Sequence, residues 1–284
     1  MNFHVNGSPS SATKTKKTAK IRPKFINDCT FLDKRNRYFG TFTLVKIPAL
    51  PMIVPIPPLV ASVKKENIKI LESTLKKQRF VYRSALSWQE YEIQMSGRFQ
   101  TENGAEAVAA VRELIRQGYI IEESAITRGL LKAVLPGRFQ VIQNENPIVL
   151  IDGAHNPGAA FRLRENITFL LREYHIIFIM GIFADKDYEK VVEITCDLAD
   201  NIYTVKSDGK RALDAKILAE CIKTHGKEAC SAESVPKALE LAVSKAEELT
   251  ARTKRKSAVI CFGSFSFLKY IKTAVEDRRR NNEN

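Results

Sequence analysis

The sequence predicts an α/β protein whose carboxyl-terminal part is a mostly parallel, Rossmann-like sheet with flanking helices. Three observations predict it. Apolar runs such as Ile148-Val149-Leu150-Ile151 and Ile176-Ile177-Phe178-Ile179 show no alternation, which suits strands buried on both faces. Segments with helical spacing separate these runs, the order that right-handed crossovers between parallel strands require. The first run breaks into Asp152-Gly153-Ala154-His155-Asn156-Pro157, a strand-to-helix turn in which Gly153 admits a close approach and the following helix start favours anions.

The elements follow in order. Lys65 to Lys77 is predicted as helical from Ile68, Leu71 and Leu75, and Phe80 to Met95 as alternating strands with Tyr91, Ile93 and Met95 on one face. Asn103 to Gln117 is predicted as a helix with Ala105, Val108, Val111 and Ile115 inward, and Glu122 to Val134 as another. Val149 to Asp152 is the first buried strand. Asn156 caps the next helix, Pro157 opens it, and Ala160, Leu163, Ile167 and Leu170 form its apolar face. Then come the strand His175 to Met180, the helix Tyr188 to Ala199, the strand Ile202 to Val205 and the helix Leu213 to Lys223. An amphipathic helix from Ser234 to Leu249, capped by Ser234 and carrying Pro236 in its first turn, leads to the strand Ala258 to Phe262, closed by Gly263-Ser264. Ligands of such sheets bind beyond the carboxyl ends of the strands, where Asp152, Asp185 and Gly263 fall.

Charge divides the chain near residue 60. Of the net charge of +13, the first sixty residues hold ten Lys or Arg against Asp28 and Asp33, a balance of +8. They also hold seven of the eleven prolines, five of them between Pro48 and Pro58, which interrupts regular structure there. Residues 1–60 are therefore expected to be an irregular or disordered segment, or an aberrant start. No aromatic interleaving or binding module accompanies the basic residues, so nucleic acid is not expected as a partner. The apolar stretch from Thr43 to Val60 is too interrupted for a membrane span, and no targeting helix is evident, so a cytoplasmic protein is expected. Cys29, Cys196, Cys221, Cys230 and Cys261 are odd in number and widely spaced, and are expected as reduced thiols.

The string Asp152-Gly-Ala-His-Asn-Pro157 closely resembles the motif that opens the carboxyl-terminal domain of the folylpolyglutamate synthase and dihydrofolate synthase family, ATP-dependent ligases of the Mur ligase superfamily. Other landmarks of that family resemble Pro136-Gly137-Arg138, the segment Gly97 to Ala105 around Asn103, Met180 to Asp187, Lys210-Arg211-Ala212 and Phe262-Gly263-Ser264, in the family's order. The likeness covers residues 60 to 284. It implies three parts: an unrelated segment 1–60, a remnant of the end of an ATPase domain over 61–135, and the glutamate ligase domain over 136–284.

The resemblance also implies chemistry. Such ligases activate a folate or dihydropteroate carboxylate with ATP as an acyl phosphate, which the amine of L-glutamate attacks. By that likeness Arg138 would reach the ATP phosphates, Asp152 would accept from ribose hydroxyls, and Asn103 would contact the nucleotide from the other domain. His155 would lie beside the nucleotide or the glutamate. Asp185, Lys186 and Arg211 are weaker candidates; Asp185 could instead cap the helix from Tyr188, and Arg211 could be a solvated helix-start residue. Two departures stand out: Gly104 before the usual Ala, and Phe99 where the family often has His.

The family's phosphate loop, G-x-x-x-x-G-K followed by Ser or Thr, occurs nowhere in the 284 residues, and neither do its metal-binding segments. The Mg²⁺ ligands are therefore expected in a missing amino-terminal region, and an ATPase half encoded separately is an expected partner. A chain incomplete for catalysis alone is the reading favoured. The alternatives are a non-catalytic nucleotide-binding module, a structural or interaction remnant with no ligand, and a fragment of a Mur-type peptide ligase or cyanophycin synthetase.

Overall fold

The computed structural model describes residues 29–32, 38–42, 63–83 and 88–283. The chain divides into two compact units, Met1–Leu44 and Val45–Asn284. In the first, β1 (Cys29–Leu32) and β2 (Tyr38–Phe42) pair antiparallel. These proline-free, β-branched and aromatic stretches are regular structure inside the segment that the sequence marks as irregular. The proline cluster from Pro48 to Pro58 lies outside the described residues.

In the second unit, β3 (Ile68–Ser73), β4 (Gln78–Arg83) and β5 (Trp88–Ile93) form an antiparallel sheet. The expected helix over Lys65 to Lys77 is therefore corrected: apart from a single 3-10 turn at Lys65–Asn67 the stretch is a strand and a turn. Ile68 and Ile70 pair with Tyr82 and Phe80, so a period of two, hidden behind the chance spacing of Leu71 and Leu75, decides the element. One face of this sheet carries Phe80, Tyr91 and Ile93, all at most 1% exposed, beneath α1 (Phe99–Arg116) and α2 (Glu123–Lys132). Tyr91 Oη donates to Glu123 Oε1 at 2.9 Å, tying β5 to α2. The other face carries ion pairs, Lys77 with Glu92 at 3.2 Å and Arg79 with Glu72 at 3.6 Å. Gly104, which looks costly inside a helix, leaves room for Phe80: a Cβ there would stand 2.9 Å from the Phe80 ring.

The main sheet is built from β6 (Gln140–Gln143), β7 (Ile148–Asp152), β8 (His175–Met180), β9 (Asn201–Thr204), β10 (Ala229–Ser231) and β11 (Ser257–Phe262). Its order is β10-β9-β8-β11-β7-β6, parallel throughout except that β6 runs antiparallel to β7. The helices α3 (Pro157–Leu170), α4 (Tyr188–Thr195) and α5 (Ala215–Thr224) pack on one face, where Leu163, Val192 and Leu218 join one core. The other face is covered by α6 (Val235–Thr253) and α7 (Phe265–Glu283) through Ala242, Val243, Phe267 and Ile271. All residues of β7, β8 and β11 are buried, as unalternating apolar runs require. Phe178 and Phe262 meet edge to face across two strands, with centroids 5.0 Å apart.

This order positions the site. The chain leaves β7 for α3 on one face and leaves the adjacent β11 for α7 on the other. The connections therefore part at the carboxyl ends of these two neighbours, the switch point where such sheets bind ligands.

Candidate functional site

Three strands end in line and each is followed by glycine. Phe262 of β11 lies in register with Asp152 of β7 and Met180 of β8, which aligns Gly263, Gly153 and Gly181 in one row. None of the three tolerates a side chain. A Cβ on Gly263, whose φ is +116°, would stand 2.5 Å from the Gly181 carbonyl oxygen, and one on Gly153 would stand 2.1 Å from the Phe265 ring. The row keeps the strand ends bare so that the Phe265 ring and the neighbouring backbone pack directly against them.

Asp152 organises the turn. Its Oδ1 accepts from Ala154 N–H at 2.8 Å and its Oδ2 from Phe139 N–H at 2.7 Å. The second bond reaches back to the Pro136-Gly137-Arg138 loop, whose Gly137 carbonyl accepts from Gly153 N–H at 2.7 Å. Phe139 is held at φ +44°, a left-handed conformation that costs a bulky residue energy and that these bonds enforce. Two distant landmarks of the sequence are thereby locked into one corner. Burial pushes the Asp152 carboxyl up to about 6, against the two backbone donors and the nearby Arg138 guanidinium, which favour the anion. Each carboxylate oxygen accepts one bond here and retains a second lone pair.

Arg138 is half-buried and its guanidinium lies 5.5 Å from the centroid of the Phe265 ring. That ring, 46% exposed, sits against Gly137 and Gly153 at once. Sequence reasoning missed Phe265; the signal available was an aromatic residue directly after Phe262-Gly263-Ser264. His155 Nδ1 lies 2.8 Å from the Gly153 carbonyl oxygen. Since a carbonyl only accepts, Nδ1 carries the hydrogen, and a neutral ring presents Nε2 as an acceptor. Asn156 caps α3, its Oδ1 accepting from Ala159 N–H at 2.9 Å, with Pro157 behind it.

Asp185 and Arg211 also meet, Nη1 to Oδ2 at 2.8 Å, with the guanidinium 4.7 Å from the Phe183 ring centroid. The cap of α4 is Asp187, which accepts from Lys190 N–H, and not Asp185. Asn103 is not gathered into the corner. It lies inside α1, which begins four residues earlier than its sequence suggests, and donates to Gln100 Oε1 at 2.8 Å. The start of α1 docks on α3: Arg98 N–H donates to Asn166 Oδ1 at 3.3 Å, and Arg162 pairs with Glu102 at 3.6 Å. Asn166 lies ten residues beyond the Asn156 cap, about 15 Å along the helix. At this contact Gln100 Nε2 and Asn166 Nδ2 are buried without hydrogen-bond partners among the described residues.

Residues 137–265 match the family model of the Mur ligase glutamate ligase domain. This part of the chain is similar to that domain. The domain matched begins at the glycine of the Arg138 loop and ends at the aromatic residue that closes it. The chain is 32% identical over 177 residues to the dihydrofolate synthase/folylpolyglutamate synthase of Escherichia coli K12, covering 62% of this chain and 38% of that protein. It is 34% identical over 155 residues to a probable bifunctional folylpolyglutamate synthase/dihydropteroate synthase of Halobacterium salinarum, covering 55% of this chain and 18% of that one. In fold it resembles Escherichia coli FolC in complex with DHPP and ADP, with a TM-score of 0.59, 26% identity, and 75% of this chain matched to 46% of that one. Mycobacterium tuberculosis folylpolyglutamate synthase, complexed with ADP and AMPPCP, shares the fold at a TM-score of 0.61 and 21% identity, covering 76% of this chain and 48% of that one. The chain spans less than half the length of these relatives.

Proposed function

We propose that this chain supplies the glutamate ligase half of a folylpolyglutamate or dihydrofolate synthase. The reaction is the ATP-dependent joining of L-glutamate to the carboxylate of a folate or dihydropteroate through an acyl phosphate. The observation that carries this reading is the corner in which Asp152 ties the Pro136-Gly137-Arg138 loop to the Asp152-to-Pro157 turn, beside a row of bare glycines. Such a corner fits a nucleotide: forked donors on Arg138 suit phosphate, and the free lone pairs of Asp152 suit a ribose diol.

Within this reading each residue has a stated task. Arg138 answers phosphate charge, and the Phe265 ring beneath its guanidinium limits how that fork can turn. Asp152 accepts from the ribose and keeps the Arg138 loop in place. His155, anchored through Nδ1, offers Nε2 to an N–H donor, the chemistry of the incoming glutamate amine. Asn103 contacts the nucleotide only after α1 leaves α3, and the unpartnered amides of Gln100 and Asn166 make that contact the one to open. Among the described residues no group of three or more His, Cys, Asp or Glu side chains could hold a metal ion. The described residues do not fit Mg²⁺, and no step here is assigned to it. The phosphate loop and the metal ligands come from outside these 284 residues, supplied by a separate ATPase half. Among the described residues no helix is long and apolar enough to cross a membrane, and a cytoplasmic enzyme is proposed.

Co-expression with a phosphate-loop frame encoded beside it tests this. The expected product is a folate heavier by one glutamyl residue, formed only when both chains and ATP are present. A genome without such a frame, or no product with both halves folded, counts against it.

A further inference from the structure

A cavity of about 370 Å³ opens where α3 ends, lined by Thr168, Phe169, Leu170, Arg172, Glu173 and Tyr174. It lies before the start of β8, at the opposite end of the sheet from the glycine row. Phe169 is 51% exposed, and the Arg98 guanidinium packs over its ring with 4.5 Å to the centroid. Ser257 lies in register with His175, so the loop before β11 runs beside the loop before β8. That second loop is Lys254-Arg255-Lys256, exposed throughout. Arg255 Nη2 donates to the carbonyl oxygens of Arg172 and Tyr174 at 2.6 and 2.7 Å, which fixes the basic turn against two residues of the cavity lining. The side chains of Lys254 and Lys256 form no hydrogen bond or ion pair among the described residues. The carboxylates around them are engaged: Glu173 with Arg172 at 3.0 Å, Asp200 with His175 Nδ1 at 3.4 Å, and Glu248 with Lys245 at 2.9 Å.

We propose that this end of the sheet binds single-stranded nucleic acid, one base stacking in the cavity on Phe169 and the flanking phosphates meeting Lys254 and Lys256. An open aromatic face beside unanswered cations is the pairing that such strands need. The sequence shows no aromatics interleaved with its basic residues; the fold brings Phe169 and Tyr174 to the basic turn from another part of the chain. These rings line a concavity and do not project from the surface, which suits an inserted base better than burial in lipid. A duplex keeps its bases stacked inward and has none to offer. No residue of the glycine corner takes part, so the inference stands or falls separately from the ligase reading.

Ultraviolet cross-linking of a thiouridine-containing single-stranded RNA to the full chain, with the linked peptide located by mass spectrometry, tests it. Cross-links are expected within residues 168–174. Lys254→Asn combined with Lys256→Gln should weaken binding about tenfold and make the slope of log affinity against log salt shallower by about 1.4, the loss of two phosphate contacts. Phe169→Leu keeps the apolar bulk, removes the stacking face and should weaken binding at least about fivefold. Lys216→Gln, which neutralises an exposed cation on α5, should change neither affinity nor slope. Unlabelled single strand should compete at lower concentration than a duplex of the same sequence. Cross-links confined to the basic first sixty residues, equal competition by the duplex, retention on phosphatidylserine vesicles with no cross-link to RNA, or wild-type binding by the Lys254→Asn, Lys256→Gln and Phe169→Leu variants would each overturn the proposal.

Discussion

At residue scale, the corner rests on contacts with no slack. A methyl group on Gly153 would overlap the Phe265 ring, so Gly153→Ala should cost about 1–3 kcal/mol, the usual penalty for overpacking. Adding Phe265→Ala should recover most of that loss in urea unfolding; additive losses would show that the ring is not the obstacle. Asp152 makes a second prediction. Its carboxyl titrates near 3.8 when free and near 6 in the fold. Between those values the folded state holds more proton than the unfolded state, so this group's contribution to stability falls as pH rises through the window. The loss is about 3 kcal/mol, complete above the folded value. The stability of the wild type relative to Asp152→Asn should therefore decline by about that amount from pH 4 to pH 7. A pH-independent difference would mean that the carboxyl is not held up by burial.

At element scale, α3 does two jobs: its start forms the turn and its middle holds α1. Asn156→Ala removes the side-chain acceptor of the helix start and should cost about 1 kcal/mol, read as a lower urea midpoint with the slope unchanged. This cap and its proline are local chemistry, and they were legible in the sequence for that reason. So were the buried strands, whose unbroken apolar runs leave no helical alternative. Ile68 to Leu75 was not legible, because Ile68, Leu71 and Leu75 satisfy a helical period while Ile68 and Ile70 satisfy a strand period. Only pairing with Phe80 and Tyr82 decides between them. Strands as short as β6 and β10 carry too few residues for either period to show. The helix α7 ends in charged and amide residues that mask its apolar stripe of Phe267, Leu268, Ile271 and Val275.

At the scale of the whole molecule, the order of elements was readable and the order of strands was not. The insertion of β11 between β7 and β8 depends on pairing across a hundred residues, yet it creates the row of glycines at the strand ends. The candidate residues Arg138, Asp152 and His155 were found by motif, but the bond from Asp152 to Phe139 and the Phe265 ring that closes the corner are tertiary facts. Asn103, another motif residue, lies within α1 and bonds to Gln100. The central claim is that this chain carries one half of an ATP site, built on the Arg138 corner. Titration calorimetry of ATP into the full chain and into Arg138→Ala tests it most directly. The account predicts saturable binding to the wild type and a loss of about tenfold to a hundredfold in the variant, the worth of a charge-assisted contact. Undetectable binding to the wild type, or equal affinity in the two proteins, would contradict it.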